Sequence, residues 1–335
     1  MKVLVTGANG LLGANIVQEL NRRRIQVRVF VRKNADMSGL DGCDFEVFRG
    51  NITHKDAVIE AAHSCDYIIH AAANTGPAPS NYWYYHPVNV SGTKNVIEAA
   101  KTTSSKRIVF ISTANTMGYG SCEDPGVENR LIDPLFEQSG YARSKLEAEN
   151  LIVEAVNENQ IKAIILNPTF MIGPRDAKPS SGRILLSILN HRLVILPPGG
   201  KNFIHVKDVA WASCEALSKG KPGEKYLLAN KNLSYKEFFN VVNSISEEKQ
   251  SLVIIPKAFL VAAGYIGSLL HRLQIKTDLN RINAKILCVH NYYSGQKAAR
   301  TFSLNYSPLE TALEEALDWF AKNEYLQLPN PAYSH

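Results

Sequence analysis

Short apolar runs alternate with amphipathic segments through the first half of the chain, and this alternation restricts the fold more than any other feature. Six runs rich in Val, Ile and Phe have the length of buried strands. They are Lys2–Val5, Gln26–Val31, Phe45–Phe48, Tyr67–His70, Arg107–Ile111 and Ala163–Leu166. Between them, apolar residues recur at helical spacing, as Leu12, Ile16 and Leu20 do. Apolar strands joined by helices indicate a parallel sheet covered on both faces, so we predict a doubly wound α/β fold.

The second half of the chain has a different pattern. Prolines and glycines recur between residues 168 and 202, which is typical of loops with short elements. Val206 to Ser218 then has a helical pattern, Lys225–Leu228 has the composition of one more strand, and Leu309–Asn323 forms a final amphipathic pattern. We therefore expect a smaller lobe interleaved with the sheet, and a loose tail from Leu326 onward.

A glycine-rich turn follows the first predicted strand, in the stretch Thr6 to Gly13. Glycines at positions 7, 10 and 13 allow a tight turn, close approach of a pyrophosphate, and close packing of helix on strand. The pyrophosphate would lie at the helix N-terminus, where amide donors and the helix dipole favour negative charge. This turn predicts a dinucleotide-binding Rossmann fold. Its predicted cofactor contacts are Gly7, Asn9, Gly10, Leu11, Leu12 and Gly13.

The end of the second predicted strand indicates which dinucleotide is bound. A site for NAD places an acidic residue here, to accept a hydrogen bond from the ribose 2′-hydroxyl. This chain has Arg32 followed by Lys33, and a guanidinium pairs with a 2′-phosphate instead. We therefore favour NADP over NAD, although a solvated basic pair at a strand end is the simpler alternative. Asn51 and Ile52, after the third strand, are expected to contact the adenine, and the alternative is that Asn51 only forms a turn.

Tyr141 and Lys145 lie one helical turn apart, so both side chains are on one face of a predicted helix. A phenol has a pKa of about 10 and needs a nearby cation to act as an acid–base catalyst at neutral pH. Lys145 supplies that cation, and Ser112 and Thr113 at the end of the fifth strand supply hydroxyl groups.

Taken together, these motifs resemble the extended short-chain dehydrogenase/reductase family, which includes sugar-nucleotide epimerases and dehydratases and dihydroflavonol-reductase-like enzymes. The resemblance covers nearly the whole chain. It depends on the glycine turn, Ala71–Ala73 after the fourth strand, the stretch Asn89 to Asn95, Ser112-Thr113, the Tyr141/Lys145 pair, Asn167–Thr169 with Gly173-Pro174, and Asn202–Val209.

The resemblance implies a role for several of these residues. Tyr141 would be the acid–base, Lys145 the ribose ligand and modulator of its pKa, and Thr113 the donor that orients the substrate oxygen. Ala71, Ala72 and Ala73 would line the ribose side of the cofactor, and Asn167, Pro168 and Thr169 would lie near the nicotinamide. Asn89 is at least as readily explained as a structural asparagine, and His70 and His205 are expected to be structural.

The change of pattern after Asn167 predicts a division of the chain. Residues 1–167 would form the NAD(P)-binding domain, with 203–229 returning to it, and residues 168–202 and 230–325 would form the substrate-binding lobe before the tail at 326–335. Ala114 and Asn115 replace the Asp-Glu pair of the dehydratases, so sugar dehydration is not expected.

The leading hypothesis is an NADPH-dependent reductase of a ketone or aldehyde, in which Tyr141 is the acid. A nucleotide-sugar epimerase is the alternative, with Arg175, Lys178 or Arg183 binding a diphosphate. A dinucleotide sensor without turnover is a third. The aromatic run Tyr82–Tyr85 and the apolar stretch Ala258–Leu270 either line an apolar pocket or belong to the core.

Composition excludes several other functions. The net charge is +6 over 335 residues and is not concentrated in a long basic run, so no nucleic-acid partner is expected. Five cysteines lie far apart, which predicts neither a metal site nor a disulfide framework. Ala258–Leu270 is too short to span a bilayer. The chain begins almost directly with a strand, so we expect a cytoplasmic protein, and family analogy suggests a homodimer.

Overall fold

The computed structural model describes residues 1–76, 81–246, 249–272 and 279–325 of the chain. The predicted tail at 326–335 lies outside these residues. The strands are β1 Lys2–Thr6, β2 Gln26–Val31, β3 Glu46–Arg49, β4 Tyr67–His70, β5 Arg107–Ile111, β6 Ala163–Pro168, β7 Phe170–Ile172, β8 Leu193–Leu196, β9 Gly200–His205, β10 Lys225–Leu228, β11 Lys231–Ser234, β12 Ser251–Ile254 and β13 His290–Asn291. The α-helices are α1 Leu11–Arg22, α2 Lys55–Ala62, α3 Tyr82–His86, α4 Gly92–Thr102, α5 Pro134–Glu137, α6 Gly140–Asn157, α7 Gly182–Leu189, α8 Val206–Glu215, α9 Tyr235–Ile245, α10 Lys257–Arg272, α11 Arg281–Ile286, α12 Gln296–Phe302 and α13 Leu309–Lys322.

Seven strands form a parallel sheet in the order β10-β6-β5-β4-β1-β2-β3. The register pairs Val3 with Val27 of β2 on one side and with Tyr67 of β4 on the other. This is the strand order of a doubly wound dinucleotide-binding sheet, extended by β10 beyond β6. The predicted α/β fold class is confirmed.

Helices cover both faces of this sheet because alternate strand residues point to opposite sides. Val3 and Val5 of β1 belong to one apolar cluster, which also holds Ile16 of α1 and Val209 of α8. Leu4 lies between them and belongs to the second cluster, on the side of α2, α4 and α6. The continuous apolar runs of the sequence therefore reflect burial on two faces.

One predicted buried strand differs from the prediction. The run Phe45–Phe48 forms β3 one residue later, at Glu46–Arg49, and three of its four residues are exposed. β3 is the edge strand next to β2, so no further strand covers it. The sequence pattern could not distinguish this edge position from a central one, because Val47 and Phe48 are apolar in both cases.

The chain beyond β6 builds a second, mixed sheet around β9. β7 and β13 pair with β9 in parallel, and β11 pairs with it antiparallel. A third apolar cluster packs here, in which the rings of Phe203 and Phe238 stack with centroids 4.2 Å apart. α8, by contrast, packs on α1, and β10 pairs with β6. These two elements therefore return the chain to the first sheet. The predicted helix from Val206 ends earlier than expected, at Glu215.

The stretch Ala258–Leu270 is a helix, but it is not a core helix. It forms most of α10, and Phe259, Ile266 and Leu269 expose more than half of their surface. The interpretation as buried core is wrong for this face, because the rest of the fold packs against only the opposite side of the helix.

His70 at the end of β4 is fully buried between two hydroxyl groups. Its Nδ1 lies 2.7 Å from Thr6 Oγ1, and its Nε2 lies 3.2 Å from Thr93 Oγ1. Thr93 donates its own hydrogen to the carbonyl oxygen of Asn89, so it accepts from Nε2, and Nδ1 accepts from Thr6. Both contacts are satisfied by a neutral ring, and burial lowers the pKa of His70 to about 3.

This burial predicts a specific dependence of stability on pH. Between its lowered pKa and its unfolded value of about 6.5, His70 binds a proton only in the unfolded chain, so stability falls as the pH falls. Replacing His70 with Gln should reduce the slope of unfolding free energy against pH, between about pH 4 and 6, by up to about 1.4 kcal/mol per pH unit. Urea unfolding at several pH values measures both slopes. Parallel curves for parent and variant would contradict the prediction.

Candidate active site

The predicted site residues follow the carboxyl ends of strands in the seven-stranded sheet. Parallel strands bring these ends to one edge, and the strand order reverses direction between β1 and β4, where such sheets bind ligands. The glycine turn follows β1, Arg32 follows β2, and Asn51-Ile52 follows β3. Ala71–Ala73 follow β4, Thr113 follows β5, and Asn167–Thr169 lie at or after the end of β6.

Two glycines of the turn are required by packing. Gly7 has φ +69°, and a Cβ there would lie 2.6 Å from the backbone nitrogen of Ala72. A Cβ on Gly13 would lie 2.1 Å from the carbonyl oxygen of Gly7, so α1 packs directly on the turn. Gly10 differs, because a Cβ there meets only the Gly7 oxygen at 3.5 Å and the residue is exposed. Gly10 is therefore the position at which the turn is open to a ligand.

The N-terminus of α1 suits a pyrophosphate. Gly10 is the N-cap and makes no side-chain capping bond, and the first turn contains no acidic residue. Leu11 and Leu12 are the first two residues of α1, and their side chains are buried in the core. Their backbone amides follow directly after Gly10, which is exposed. An open glycine beside uncapped amides, at the positive end of a helix dipole, fits the dinucleotide predicted from the sequence.

The end of β2 is basic and exposed, as the sequence suggests. Arg32 and Lys33 are both exposed. Arg49 of β3 donates to the carbonyl oxygen of Lys33 at 2.8 Å, and Asn9 donates to that of Asp36 at 3.1 Å. The loop after β2 is thereby held beside the glycine turn.

The other residues predicted on the adenine and ribose side differ in exposure. Asn51 is exposed, and its side chain accepts from the amide of Thr53. Ile52 is buried and packs in the cluster with α4, so its side chain stabilises the fold. Ala71, Ala72 and Ala73 are half-buried, and the hydroxyl of Thr6 accepts from the amide of Ala72. Their contacts with a cofactor stay predictions.

Tyr141 and Thr113 are brought together. Tyr141 lies in the first turn of α6, which Ser139 caps, and its phenol lies close to the side chain of Thr113. The ring of Tyr85 contacts it edge-on, with centroids 5.8 Å apart. Burial raises the pKa of Tyr141 to about 12, against the opposing effect of the Thr113 hydrogen bond. The phenol is therefore protonated at neutral pH.

Lys145 lies one turn further along α6 and is completely buried. Its Nζ donates to the carbonyl oxygen of Ile111 at 2.7 Å and lies 4.2 Å from the centroid of the Phe110 ring. Burial lowers the pKa of Lys145 to about 7, and the carboxylate of Glu149 opposes this shift. The ammonium contacts the end of β5, and the expected effect of Lys145 on the pKa of Tyr141 stays a prediction.

Glu149 is a residue that sequence analysis did not identify. It is completely buried, accepts from Thr116 at 2.7 Å and from Asn167 at 2.6 Å, and forms an ion pair with Lys225 of β10 at 2.5 Å. Its carboxylate joins three elements around the loop that holds Thr113. The spacing of Tyr141, Lys145 and Glu149 at four-residue intervals was the available signal, because it places all three on one helix face.

The residues predicted near the nicotinamide are mostly engaged with protein. The side-chain nitrogen of Asn167 donates to the carbonyl oxygen of Thr113 at 3.1 Å, in addition to Glu149. Its Oδ1 is buried and, within the described part of the chain, has no hydrogen-bond partner. Pro168 is buried at the end of β6, and Thr169 donates to Asn202 at 2.7 Å.

The remaining candidates are placed as follows. Asn89 bridges the loop after β4 to α6, because it accepts from the Asn74 amide at 2.7 Å and donates to Ser144 at 2.9 Å. His205 accepts from the amide of Lys207 and caps α8. These contacts favour structural explanations for both residues.

The aromatic residues Tyr82–Tyr85 and the three proposed diphosphate ligands differ in how exposed they are. Tyr85 is buried beside Tyr141, whereas Trp83 and Tyr84 are exposed. Arg175 donates to the carbonyl oxygens of Gly39 and Asp41, so this guanidinium joins two loops of the protein. Lys178 and Arg183 are exposed.

The described residues show neither a metal-binding cluster nor a membrane-spanning helix. Among them, no group of three or more His, Cys, Asp or Glu side chains could hold a metal ion. No helix in this part of the chain is both long and apolar enough to cross a membrane.

Comparison with known proteins defines the family. The model of the NAD dependent epimerase/dehydratase family matches residues 3–229, which is more than half of the chain. The chain therefore belongs to this family of extended short-chain dehydrogenases/reductases, whose members are enzymes that bind a nicotinamide dinucleotide. The family predicted from the motifs is confirmed.

The sequence relatives include reductases, and solved epimerases share the fold. The chain is 27% identical to sterol demethylase protein B of Methylococcus capsulatus, over 96% of this chain and 98% of that protein. It is 29% identical to a 2-alkyl-3-oxoalkanoate reductase of Stenotrophomonas maltophilia, over 95% of this chain and 97% of the reductase. The solved UDP-glucuronic acid 4-epimerase of Bacillus cereus, in complex with UDP-glucuronic acid and NAD, shares the fold with a TM-score of 0.77. Its identity is 20%, over 96% of this chain and all of that one.

The contrast between Gly10 and Gly13 gives a test of the turn. Gly10→Ala should leave the thermal unfolding midpoint nearly unchanged but weaken dinucleotide binding by about ten-fold or more, because the methyl group lies where the ligand approaches. Gly13→Ala is the matched comparison, and it should lower stability because its methyl group has no room. Thermal unfolding and dinucleotide titration of both variants provide the measurements. Unchanged dinucleotide affinity in Gly10→Ala would contradict the assignment of this turn.

Proposed function

We propose that this protein is an NADPH-dependent reductase of a ketone or aldehyde, in which Tyr141 donates the proton. The observation that carries the proposal is the closeness of the Tyr141 phenol to the Thr113 side chain, at the carboxyl edge of the parallel sheet. Two hydroxyl groups that meet at this edge can both contact one carbonyl oxygen. At neutral pH the phenol of Tyr141 is protonated, which is the form that an acid requires.

The proposed reaction needs one hydride and one proton. A reduced nicotinamide, when bound, would supply the hydride to the carbonyl carbon, and the electron pair of the C=O π bond would move onto oxygen. Tyr141 transfers its phenolic proton to that oxygen, which is a stronger base than a phenolate, and the product is an alcohol. Thr113 holds the oxygen by a hydrogen bond and stabilises its developing charge. The side-chain oxygen of Thr113 also accepts from the amide of Asn115 at 3.3 Å, which restricts its rotation.

Lys145 has two proposed roles. Its Nζ is held at the end of β5 by the carbonyl oxygen of Ile111, one helical turn from Tyr141. From there the cation offsets the negative charge left on Tyr141 after proton transfer, and its remaining hydrogens are available to a ribose hydroxyl. Glu149 favours the charged form of Lys145, which burial alone disfavours.

The choice of NADPH is supported by the basic end of β2. Arg32 and Lys33 are exposed there, beside the glycine turn that Asn9 links to the same loop. We propose that Arg32 forms a charge-assisted contact with the 2′-phosphate of the cofactor. We also propose that the dinucleotide contacts the turn at Gly7, Asn9 and Gly10, the alanines after β4, and Asn167 through its unpartnered Oδ1.

The substrate is proposed to bind between the dinucleotide-binding domain and the lobe formed by residues 168–202 and 230–325. The buried ring of Tyr85 against Tyr141 provides an apolar wall beside the reacting groups. The similarity to a 2-alkyl-3-oxoalkanoate reductase and to a sterol-related protein supports an apolar ketone. Of the three cations proposed for the epimerase alternative, Arg175 already donates to two backbone carbonyl oxygens, whereas Lys178 and Arg183 are exposed.

Substitution of Tyr141 by Phe tests the proposed acid. The variant keeps the ring and its contact with Tyr85, so we expect normal cofactor binding and a loss of turnover of about 10²-fold or more. The assay screens ketones and aldehydes for NADPH oxidation. Tyr84→Phe is the matched control, because Tyr84 is exposed, and it should retain parent activity. Turnover near the parent rate in Tyr141→Phe would exclude Tyr141 as the acid.

Substitution of Arg32 by Asp tests the choice of cofactor. The change removes a charge-assisted contact worth about 1.5–3 kcal/mol, so NADPH affinity should fall by about ten- to a hundred-fold while NADH affinity changes little. Titration of the intrinsic fluorescence measures both affinities, with Arg183→Asp as the control at another exposed arginine. Equal losses for the two cofactors would refute the NADPH assignment. Tightly retained NAD in the purified parent would favour the epimerase instead.

A further inference from the structure

α10 has no polar outer face. Residues 258–270 contain no charged side chain, although the helix is 16 residues long. One side of the helix is already used: Leu260, Gly264 and Gly267 are buried, and a Cβ on Gly264 would lie 2.5 Å from that of Ala284 in α11. The close packing of α10 on α11 therefore accounts for its inner side only.

The opposite side of α10 is apolar and open. Phe259 is 69% exposed, Tyr265 51%, Ile266 61% and Leu269 58%, and we refer to these four residues as the α10 face. Phe259, Ile266 and Leu269 are separated by seven and three positions, so they follow one stripe of the helix. A surface helix of a soluble protein normally carries charged or polar residues along such a stripe.

The two-stranded sheet that leads into α10 has the same property. β8 and β12 pair in parallel with Ile195 opposite Val253, and Leu193, Ile195 and Val253 are all about half exposed. Together with the α10 face they make up seven of the twelve large apolar side chains that are exposed in the described part of the chain. Apolar surface concentrated in this way marks an interaction site rather than ordinary scatter.

The charge of this region identifies the kind of partner. The described residues 249–272 and 279–290 contain five Lys and Arg and no acidic residue, although Glu247 and Glu248 come directly before them in the chain. Lys257 begins α10, and the guanidinium of Arg281 lies 5.7 Å from the centroid of the exposed Tyr265 ring. Two copies of such a region would repel each other, whereas an anionic surface would attract it.

We propose that the α10 face docks on the surface of a bilayer that contains anionic lipids. A helix of 16 residues is about 24 Å long, too short to span a hydrocarbon core of about 30 Å, so it would lie in the plane of the interface. Phe259, Ile266 and Leu269 would enter the boundary between headgroups and acyl chains, with Lys257 and Arg281 beside the lipid phosphates. This docking does not depend on the proposed reductase activity.

Flotation of the full chain with lipid vesicles tests the proposal. Vesicles of phosphatidylcholine with about one third phosphatidylserine should bind the protein, and binding should weaken in high salt and on phosphatidylcholine alone. Leu269→Glu should reduce the affinity for the anionic vesicles by about ten-fold or more. Leu131→Glu is the matched control. Leu131 is 90% exposed and is not part of the α10 face, so this variant should bind like the parent.

A second pair of measurements separates the components of the surface. The double variant Lys257→Glu and Arg281→Glu should lose binding to anionic vesicles while its thermal unfolding midpoint stays at the parent value. Three results would overturn the proposal: no binding of the parent, equal loss in Leu269→Glu and Leu131→Glu, or equal binding to neutral and anionic vesicles. Sedimentation equilibrium tests the other possible partner, a second copy of the chain. A parent dimer that the Leu269→Glu variant fails to form would assign the α10 face to self-association and would also overturn the proposal.

Discussion

The rest of the structure depends on the parallel pairing of seven strands. Neighbouring parallel strands need a crossover connection, and those crossovers cover both faces of the sheet with helices. The same pairing directs every strand in one direction, so the segments after β1, β2, β4, β5 and β6 meet at a single edge. Residues more than a hundred positions apart, from Gly7 to Asn167, therefore belong to one candidate site.

Buried polar groups hold this edge in shape. Glu149 accepts from Thr116 and Asn167 and pairs with Lys225, while Lys145 donates to the end of β5. Charges are costly in an apolar interior unless they are paired and hydrogen-bonded, so each partner restricts the position of the others. The loop that carries Thr113 is thereby fixed against α6, the helix that carries Tyr141. Exposed hydrogen bonds, which water can replace, would restrict these positions less.

The surface formed by α10, β8 and β12 is exposed and apolar, unlike the buried polar groups of the candidate site. α10 and the strands β8 and β12 expose apolar side chains, and Lys257 and Arg281 lie beside the α10 face. The candidate dinucleotide site and the proposed docking face on α10 use different residues of the chain. An enzyme that reduces apolar ketones would find such substrates concentrated at a lipid surface.

The sequence by itself determined the fold class, the family and the order of the motifs, because burial on two faces and glycine turns leave local patterns in composition and spacing. It also placed Tyr141 and Lys145 on one helix face, because that relation depends only on four-residue spacing. The tertiary structure alone decided that β3 is an exposed edge, that Glu149 joins Asn167 and Lys225, and that α10 is open on one side. Each of these features depends on whether a segment distant in sequence packs against the strand, the carboxylate or the helix face. No local pattern of residues determines which distant segment that will be.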